Sequence, residues 1–340
     1  MHIIDFRSDT VTKPTKAMRE FMLAAEVGDD VFGDDPTINE LERMGAEMFG
    51  MEAGLYCSSG TMTNQIAINV HTQPGDEVIC HEEAHIYRYE GGGIAKNSGA
   101  SVRFIRGNQG RINPDEIVDN INPNDQHYPV TTLVSIEDTA NRGGGMCYDF
   151  EDIKRISKIC KENRLAFHLD GARVFNVLEV NKVSTLEYGR QFDTISICLS
   201  KGLGAPVGSL LLGNKEFIAK ARRVRKAFGG GMRQAGIIAA GGIFALQNNV
   251  ARLSVDHENA KRVEEILASK NWVKEVLPVQ TNIVVALLSE GINEADVVTQ
   301  LREKGILCVG FGKGRVRFTT HLDISAEDID RLASILPTDL

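Results

Sequence analysis

The chain has 340 residues, of which 42% are hydrophobic and 25% are charged. This composition is typical of a globular protein, and the length is enough for one large domain and a smaller one. The net charge of −8 and the absence of a long basic tract argue against a nucleic-acid or membrane-surface partner. Because no apolar run could span a bilayer and the start MHIIDFRSDT is unlike a signal peptide, we expect a cytoplasmic protein. The six cysteines lack CxxC spacing, which predicts reduced, mostly buried thiols.

The first part of the chain predicts two helices with an acidic loop between them. The helices are Lys16–Ala25 and Ile38–Phe49, and Thr37 with Glu40 would form a capping box at the start of the second. Four aspartates crowd the loop, but their spacing is not that of an EF-hand. A polar loop is therefore a better interpretation than a calcium site.

Small residues fill the turn between the predicted strand Ala53–Cys57 and the helix that follows it. Ser59, Gly60 and Thr61 leave backbone N–H groups free at the positive end of the helix dipole, which favours a phosphate-binding turn. The turn has neither the Walker sequence nor the GxGxxG fingerprint. An ordinary helix cap explains the same residues, so both interpretations stay open at this point.

Residues 81–85 read HEEAH, which matches the zinc-peptidase pattern HExxH. That motif needs one helix that places both histidines on the same face. Here it directly follows the predicted strand Glu77–Cys80, and three glycines at 91–93 end any helix soon afterwards. We therefore expect one working histidine, His85, whose imidazole could lie flat on a planar cofactor. A zinc peptidase is kept as a remote alternative.

Between residues 94 and 200 strands and helices alternate, which predicts a mainly parallel sheet flanked by helices, with a site at the carboxyl ends of its strands. Asp170 follows the predicted strand Ala166–Leu169. A carboxylate buried there needs a partner, which could be a pyridinium N–H or Arg173; alternatively, Asp170 could cap the helix that follows. Lys201 follows the strand Thr194–Leu199, where a desolvated amine can form a Schiff base or simply reach solvent.

From residue 215 onwards the chain predicts a basic helix, a glycine-rich break at 229–231, and a long helix that is interrupted near 247–250. A small α+β unit follows, with strands Ile283–Leu288 and Arg315–Thr319, each followed by a helix. The expected division is an N-terminal segment at 1–30 that packs with the small domain, a large domain at 31–250 and a small domain at 251–340.

These motifs, in this order, resemble the low-specificity L-threonine aldolases, a group within the β-eliminating lyases of the fold-type I pyridoxal-phosphate enzymes. The resemblance covers nearly the whole chain. It rests on FRSDTVTKP, VGDDVFGDDPTINELE, SGTMTNQ, PGDEV with EEAH, HLDGARVFN, SICLSKGLGAPVGS, GGGMRQAG, TNIV and RFTTHLD. It implies an aspartate-aminotransferase-like α/β fold with a mainly parallel, seven-stranded type of sheet, a smaller C-terminal α+β domain, and pyridoxal 5'-phosphate as the cofactor.

The resemblance also implies roles for particular residues. Lys201 would form the Schiff base, Asp170 would pair with the pyridine nitrogen, and His85 would stack on the ring. The phosphate would be bound by Ser59, Gly60 and Thr61 and, from another subunit, by Lys226 and Arg233. Arg173 would contact both the cofactor and the substrate. The substrate carboxylate would bind Ser8 and Arg317, with Arg315 in reserve, and the substrate hydroxyl would face His127. Shared sites imply at least a dimer, and we expect a homotetramer.

The implied reaction is retro-aldol cleavage of L-threonine or L-allo-threonine to glycine and acetaldehyde, with His85, His127 or a bound water as the base. One stretch departs from the family pattern, since residues 137–141 read EDTAN where ENTHN is common, and Ala140 leaves the side-chain preference open. The main alternatives are β-elimination or transamination with the same cofactor, or an aldolase for another β-hydroxy amino acid. A non-catalytic binding protein on this fold is the least favoured.

Overall fold

A computed structural model describes residues 2–339, in which strands and helices alternate for most of the chain. The strands are β1 (Ile4–Asp5), β2 (Ala53–Cys57), β3 (Glu77–His81), β4 (Ser101–Ile105), β5 (Thr131–Glu137), β6 (Ala166–Gly171), β7 (Thr194–Cys198), β8 (Ser209–Gly213), β9 (Val273–Val276), β10 (Ile283–Leu288), β11 (Ile306–Leu307), β12 (Val309–Gly310) and β13 (Arg315–Thr319). The α-helices are α1 (Lys16–Leu23), α2 (Pro36–Phe49), α3 (Gly60–His71), α4 (His85–Arg88), α5 (Gly93–Ser98), α6 (Pro114–Val118), α7 (Phe150–Asn163), α8 (Val174–Asn181), α9 (Thr185–Gly189), α10 (Lys215–Ala227), α11 (Gly236–Asn248), α12 (Leu253–Ala268), α13 (Glu294–Glu303) and α14 (Ala326–Ile335).

The larger sheet has seven strands in the order β2-β8-β7-β6-β5-β3-β4. Its neighbouring strands are parallel, except that β8 runs antiparallel to both β2 and β7. Strands β7 and β8 are buried along their whole length, as expected where helices cover both faces. The predicted mainly parallel, seven-stranded sheet is therefore confirmed. The parallel strands β3, β5, β6 and β7 end at one edge, where ligands bind in sheets of this type.

Helices α1 and α2 lie within two residues of their predicted bounds, whereas α5 and α8 were not predicted. The predicted capping box of Thr37 and Glu40 is wrong, because Pro36 takes the first helical position of α2 and Asp35 accepts the amide hydrogen bonds of that turn. The interruption predicted near residues 247–250 is confirmed, since α11 and α12 are separate helices with a break between them.

The smaller unit is built on an antiparallel sheet in the order β12-β13-β10-β9. Its core includes Trp272 and Phe318, together with buried residues of α12, α13 and α14. The N-terminal strand β1 pairs with β11, and both Ile4 and Phe6 belong to the same core. Helix α1 packs instead on α11 of the larger unit. The N-terminal segment therefore contacts both units and passes between them.

The described residues contain no helix long and apolar enough to cross a membrane. All six cysteines are buried and unpaired, as the sequence predicted. Burial raises the pKa of the Cys57, Cys80 and Cys160 thiols to about 12, which keeps them protonated and unreactive.

Candidate active site

Polar side chains from several parallel strands converge at the carboxyl edge of the large sheet. Glu137 is the last residue of β5 and pairs in register with Asp170 near the end of β6. Lys201 follows β7, and His85 follows β3 after a short turn. The alternating pattern of the sequence predicted a site at this edge, and these residues are the ones that the edge brings together.

Asp170 is a buried carboxylate that has hydrogen bonds but no cation. It accepts from the Asn64 amide (Nδ2···Oδ2 2.9 Å) and from the backbone N–H of Ala172 (3.2 Å). The salt bridge with Arg173 that the sequence allowed is not formed, because Arg173 pairs with Asp9. Among the described residues, no Lys, Arg or His nitrogen lies within 4 Å of the Asp170 oxygens. A buried carboxylate of this kind fits a cationic N–H supplied by a ligand.

Lys201 lies in a turn directly after β7. Its backbone carbonyl accepts from Thr12 Oγ1 (3.0 Å) and from the Gly204 amide (2.8 Å), which fixes the turn, while its side chain is half-buried. Burial opposes the ionisation of Asp9, yet the charges of Arg173 and Lys201 lower the pKa of Asp9. Because Asp9 is bonded to Arg173, the amine of Lys201 stays available to a ligand.

The turn before α3 has the features of an anion site. Ser59 is the N-cap and accepts from the Met62 amide at 3.2 Å, whereas the amides of Gly60 and Thr61, in the first turn, have no partner within the helix. A side chain at position 60 would bring its Cβ within 2.6 Å of the Cys198 sulfur. Glycine therefore allows α3 to approach β7 closely, and the cradle that results fits a phosphate group.

His85 is the first residue of α4, and its ring contacts the buried carboxylate of Glu90 (Nδ1···Oε1 3.0 Å). Burial by itself would lower the pKa of His85, but the hydrogen bond with Glu90 and the charges of Asp170 and Glu137 raise it. A neutral imidazole that donates through Nδ1 keeps a lone pair on Nε2. His85 can therefore accept a proton at Nε2, and Glu90 stabilises the imidazolium that results.

The HEEAH stretch does not form the single helix that a zinc peptidase requires. His81 is the last residue of β3 and accepts the Glu83 amide at Nδ1 (3.0 Å), whereas His85 begins α4. The ligand-type atoms that do come together belong to His85, Glu90 and Asp170, within 4.8 Å of one another. The zinc-peptidase alternative therefore finds no support in this geometry.

Arg173 takes part in a buried ion pair that joins three parts of the chain. Its Nε and Nη2 atoms donate to the two oxygens of Asp9 at 2.7 Å each, and the Asn282 amide donates to the same carboxylate at 3.2 Å. Ser8 precedes Asp9 and caps the short 3₁₀ turn that contains it. The two N–H groups of Nη1 and the second N–H of Nη2 are left for a ligand, and a role of Arg173 toward cofactor or substrate stays a prediction.

Arg317 presents a half-buried guanidinium that has no carboxylate partner among the described residues. Its Nη1 donates to Asn141 Oδ1 (2.9 Å), its Nη2 donates to the Arg7 carbonyl (2.8 Å), and its buried Nε has no acceptor there. Burial lowers the pKa of Arg317 to about 10, and the charge of Arg173 adds to the effect. An unpaired buried N–H on a cation favours an anionic ligand such as a carboxylate.

A family model described as beta-eliminating lyase matches residues 5–290 of the chain. The chain belongs to the beta-eliminating lyase family. This lyase is 41% identical over 333 residues to the low specificity L-threonine aldolase of Escherichia coli K12, with 98% of each chain covered. It is 39% identical to low-specificity L-threonine aldolase 1 of Arabidopsis thaliana, with 97% of this chain and 94% of the relative covered. The corresponding Saccharomyces cerevisiae protein is 38% identical, with 96% and 84% covered.

A solved structure, the threonine aldolase of Leishmania major, has the same fold as the lyase. The TM-score is 0.84 at 20% sequence identity, and 98% of each chain is covered. At this identity the likeness shows the fold alone. Together with the family match, it confirms the fold class and the family that the sequence motifs predicted.

Three of the predicted site residues lie apart from the buried cluster in the single chain. His127 is on the exposed loop before β5, where its Nδ1 contacts Asp125 (2.7 Å) and its side chain is 75% exposed. Lys226 is exposed near the end of α10, and Arg233 pairs with Asp29 (2.9 Å). No hydrogen bond within the described part of the chain joins them to the cluster. Their roles stay predictions, and the family resemblance implies that the two basic residues act on the site of a second subunit.

The sequence-based prediction missed Asp9, Asn64, Glu90 and Glu137 as site residues. Asn64 donates to both Glu90 and Asp170 (2.9 Å each) and thereby links the two carboxylates. It lies four residues after Gly60, so α3 presents it on the same face as the phosphate-type turn. That spacing could have identified Asn64. Glu90 carried no such signal, because a short irregular segment places it.

Ala140, the departure from the family pattern, is buried, and its methyl group faces glycines of the neighbouring loops. A Cβ at Gly143 would lie 3.2 Å from the Ala140 Cβ, and one at Gly110 would lie 2.5 Å from it. The next residue, Asn141, instead contacts Arg317. Position 140 therefore packs against the loop at residues 107–111, and the preferred side chain of the substrate stays open.

Proposed function

We propose that this lyase cleaves L-threonine, L-allo-threonine and related β-hydroxy-α-amino acids to glycine and an aldehyde, with pyridoxal phosphate as its cofactor. The relatives that share 38–41% identity over nearly the whole chain are named L-threonine aldolases. The observation that carries the proposal is the placement of Asp170, a buried carboxylate without a cation, and Lys201, an unpaired amine, at the ends of adjacent parallel strands.

The residues present fit this cofactor. Lys201 would bind its aldehyde carbon, Asp170 its ring nitrogen, His85 the face of its ring, and the turn at Ser59–Thr61 its phosphate, whose cradle requires the glycine at position 60. When bound, pyridoxal phosphate supplies an electron sink for the electron pair that the breaking Cα–Cβ bond releases.

The side chains of the lyase then orient the substrate and move its proton. Arg317 and Ser8 hold the α-carboxylate, which fixes the direction of the bonds at Cα. His85 takes the proton of the β-hydroxyl at Nε2, while the hydrogen bond to Glu90 holds the ring and stabilises its charge. His127, or a water that either imidazole positions, is the alternative base. Asp170 keeps the proton on the ring nitrogen throughout the reaction.

A second candidate reaction, β-elimination or transamination, would use the same residues. It differs only in which bond at Cα breaks, and the geometry of the free site does not distinguish the bonds. Glycine as the product from threonine supports the aldolase reaction, whereas a four-carbon 2-oxo acid, with ammonia in the case of β-elimination, would support the alternative.

We also propose that a second copy of the chain completes the site. Leu23 is 84% exposed and Phe32 is 77% exposed, and the loop of Phe32 adjoins the segment that carries Arg233, because the Asp30 amide donates to the Arg233 carbonyl (3.2 Å). Exposed apolar surface of this kind is typical of an interface. A dimer is the minimum, and a homotetramer in the cytoplasm, with domain boundaries near residues 30 and 250, remains our expectation.

The test combines a spectrum with product analysis. The cofactor-loaded protein should show a visible absorption band that Lys201→Ala abolishes and that Lys274→Ala, an exposed lysine of β9, retains. The wild type should release glycine and acetaldehyde in equal amounts from L-threonine or L-allo-threonine. A wild-type protein without the band, or one that releases 2-oxobutyrate and ammonia in place of glycine, would contradict the proposal.

A further inference from the structure

Three guanidinium groups surround the ring of Phe311 beside the proposed carboxylate site. The Cζ atoms of Arg142, Arg317 and Arg315 lie 3.9, 5.1 and 5.6 Å from the ring centroid. The ring itself is buried, so three cations share one apolar platform. A single α-carboxylate is satisfied by one guanidinium, and Arg317 with its unpaired Nε already offers one.

Neither Arg142 nor Arg315 forms an ion pair with an acidic side chain of residues 2–339. Arg142 Nη2 donates to the Phe311 carbonyl (2.8 Å), and Arg315 Nε donates to the Gly312 carbonyl (3.1 Å). Glu294 accepts from the backbone N–H of Arg315 (3.3 Å) rather than from its guanidinium. In the part of the chain that the structure describes, no Asp or Glu oxygen lies within 4 Å of either guanidinium, which leaves several N–H donors for a ligand.

The three charges act on one another. Burial lowers the pKa of Arg315, the charge of Arg142 lowers it further, and Glu83 and Glu294 oppose this only in part. The pKa of Arg317 is lowered by burial and by neighbouring arginines, Arg142 among them. An anion bound between the guanidinium groups would relieve this repulsion, so the cluster is suited to a second negative charge.

The cluster lies on the side of the site where the substrate side chain is expected. The ring of Tyr89 is 5.7 Å from the ring of His85, and Tyr89 is also close enough to Arg315 and Arg317 for its phenolate, once ionised at high pH, to raise the pKa of both. A substrate whose carboxylate binds Arg317 and whose hydroxyl faces His85 therefore has its Cβ substituent next to the remaining guanidinium groups.

We infer that Arg142 and Arg315 form a second anion-binding subsite, which favours β-hydroxy-α-amino acids whose side chain ends in a carboxylate. This inference rests on the proposed retro-aldol function and names a substrate class for it. The simplest such substrate is 3-hydroxyaspartate. Its Cα–Cβ bond breaks, its hydroxyl loses a proton and Cα gains one, so the products are glycine and glyoxylate.

The test compares kcat/KM for L-3-hydroxyaspartate and for L-threonine in the wild-type holoenzyme, in Arg142→Gln and in Lys313→Gln. Lys313 is exposed in the same turn, so its variant controls for the loss of one positive charge nearby. We expect the wild type to prefer 3-hydroxyaspartate. Arg142→Gln should lower the ratio of the two kcat/KM values at least about tenfold, the scale of one lost charge-assisted hydrogen bond, while Lys313→Gln keeps it.

Inhibition gives a second readout that does not depend on cleavage of the new substrate. L-Malate, a dicarboxylate, should inhibit threonine cleavage more strongly than lactate, and Arg142→Gln should remove that difference. If Arg142→Gln does not fold, the ratio of kcat/KM for 3-hydroxyaspartate to that for threonine is measured in Arg315→Gln, and the same decrease is expected.

The outcomes separate the subsite from the proposed function. Threonine cleavage with no preference for 3-hydroxyaspartate, or a ratio that Arg142→Gln leaves unchanged, would overturn the subsite and leave the proposed function standing. A protein that cleaves neither compound would overturn both.

Discussion

Replacing Glu90 by glutamine tests whether His85 is the base. The Glu90 side chain is fully buried, and its Oε1 lies 3.0 Å from His85 Nδ1. The same carboxylate accepts from the Asn64 amide at Oε1 (2.9 Å) and from the Gln65 amide at Oε2 (2.5 Å). Glu90→Gln keeps the shape of the side chain and removes its charge. In the variant, one carboxamide oxygen must accept the hydrogen bonds that two carboxylate oxygens accepted before, so the hydrogen bond to the His85 imidazole becomes weaker.

The size of the effect follows from the charges around His85. An opposite charge at this distance raises an imidazole pKa by roughly one to three units. Because Asp170 and Glu137 still act on His85 in the variant, we expect its pKa to fall by about one unit, or about 1.4 kcal/mol of imidazolium stabilisation. A base works only when neutral, and a lower pKa makes it neutral at lower pH. The acidic limb of kcat/KM should therefore move down by about one pH unit, and the plateau rate should fall.

The assay is the initial rate of acetaldehyde formation from L-threonine across the pH range in which histidine titrates. Asp125→Asn is the matched control, because Asp125 contacts His127 Nδ1 at 2.7 Å as Glu90 contacts His85. If the acidic limb of the kcat/KM profile shifted in Asp125→Asn but not in Glu90→Gln, the base would be His127 and our assignment of His85 would be wrong. A limb that moves in neither variant would remove both imidazoles as the controlling base.

Three further predictions concern stability and cofactor affinity. Asp9→Asn leaves buried Arg173 unpaired and should lower the free energy of unfolding by about 3–5 kcal/mol in urea denaturation; an unchanged midpoint would contradict this. Burial raises the pKa of Asp138 to about 7, so between about pH 4 and 7 the folded chain keeps this proton while the unfolded chain releases it, and the stability of the fold decreases as the pH rises. In thermal melts, Asp138→Asn should make the melting temperature depend less on pH over this range. Gly60→Ala should weaken cofactor binding at least about tenfold in a fluorescence titration, because the new Cβ would lie 2.6 Å from the Cys198 sulfur. If the variant and the wild type bound the cofactor equally well, the turn at Ser59–Thr61 would not be the phosphate site.

The fold could be predicted where local patterns determine it. Strands β10 and β13 begin and end at the predicted residues, because an apolar run bounded by polar and turn residues specifies a buried strand. The order of the large sheet could not be predicted in the same way. Strand β8 lies between β2 and β7 and is antiparallel to both, and nothing in its own sequence specifies partners that are distant along the chain.

The site could be predicted only in part for the same physical reason. Asp170 and Lys201 stand at strand ends, and parallel strands bring such ends to one edge, so their proximity follows from the pattern. The ion pair of Asp9 with Arg173 joins residues that are 164 positions apart, and no periodicity relates them. Family motifs name both residues without indicating the contact. The pairing of Glu90 with His85 depends on a short irregular segment, which sequence patterns describe poorly.

The charges of the site separate into two halves; within the described chain the carboxylate of Asp170 and the guanidinium groups around Phe311 have no salt-bridge partner, whereas Glu90 contacts His85. Burial and the charge of Asp170 raise the pKa of Glu137, because two neighbouring buried carboxylates repel each other, and a cationic ring nitrogen would relieve that repulsion. The basic half, around Phe311, has guanidinium groups that only an anion would neutralise. Buried like charges are unfavourable unless a ligand supplies the opposite sign. A ligand with a protonated ring nitrogen and an anionic substrate therefore satisfy the two halves separately, and the binding of each should stabilise the folded chain.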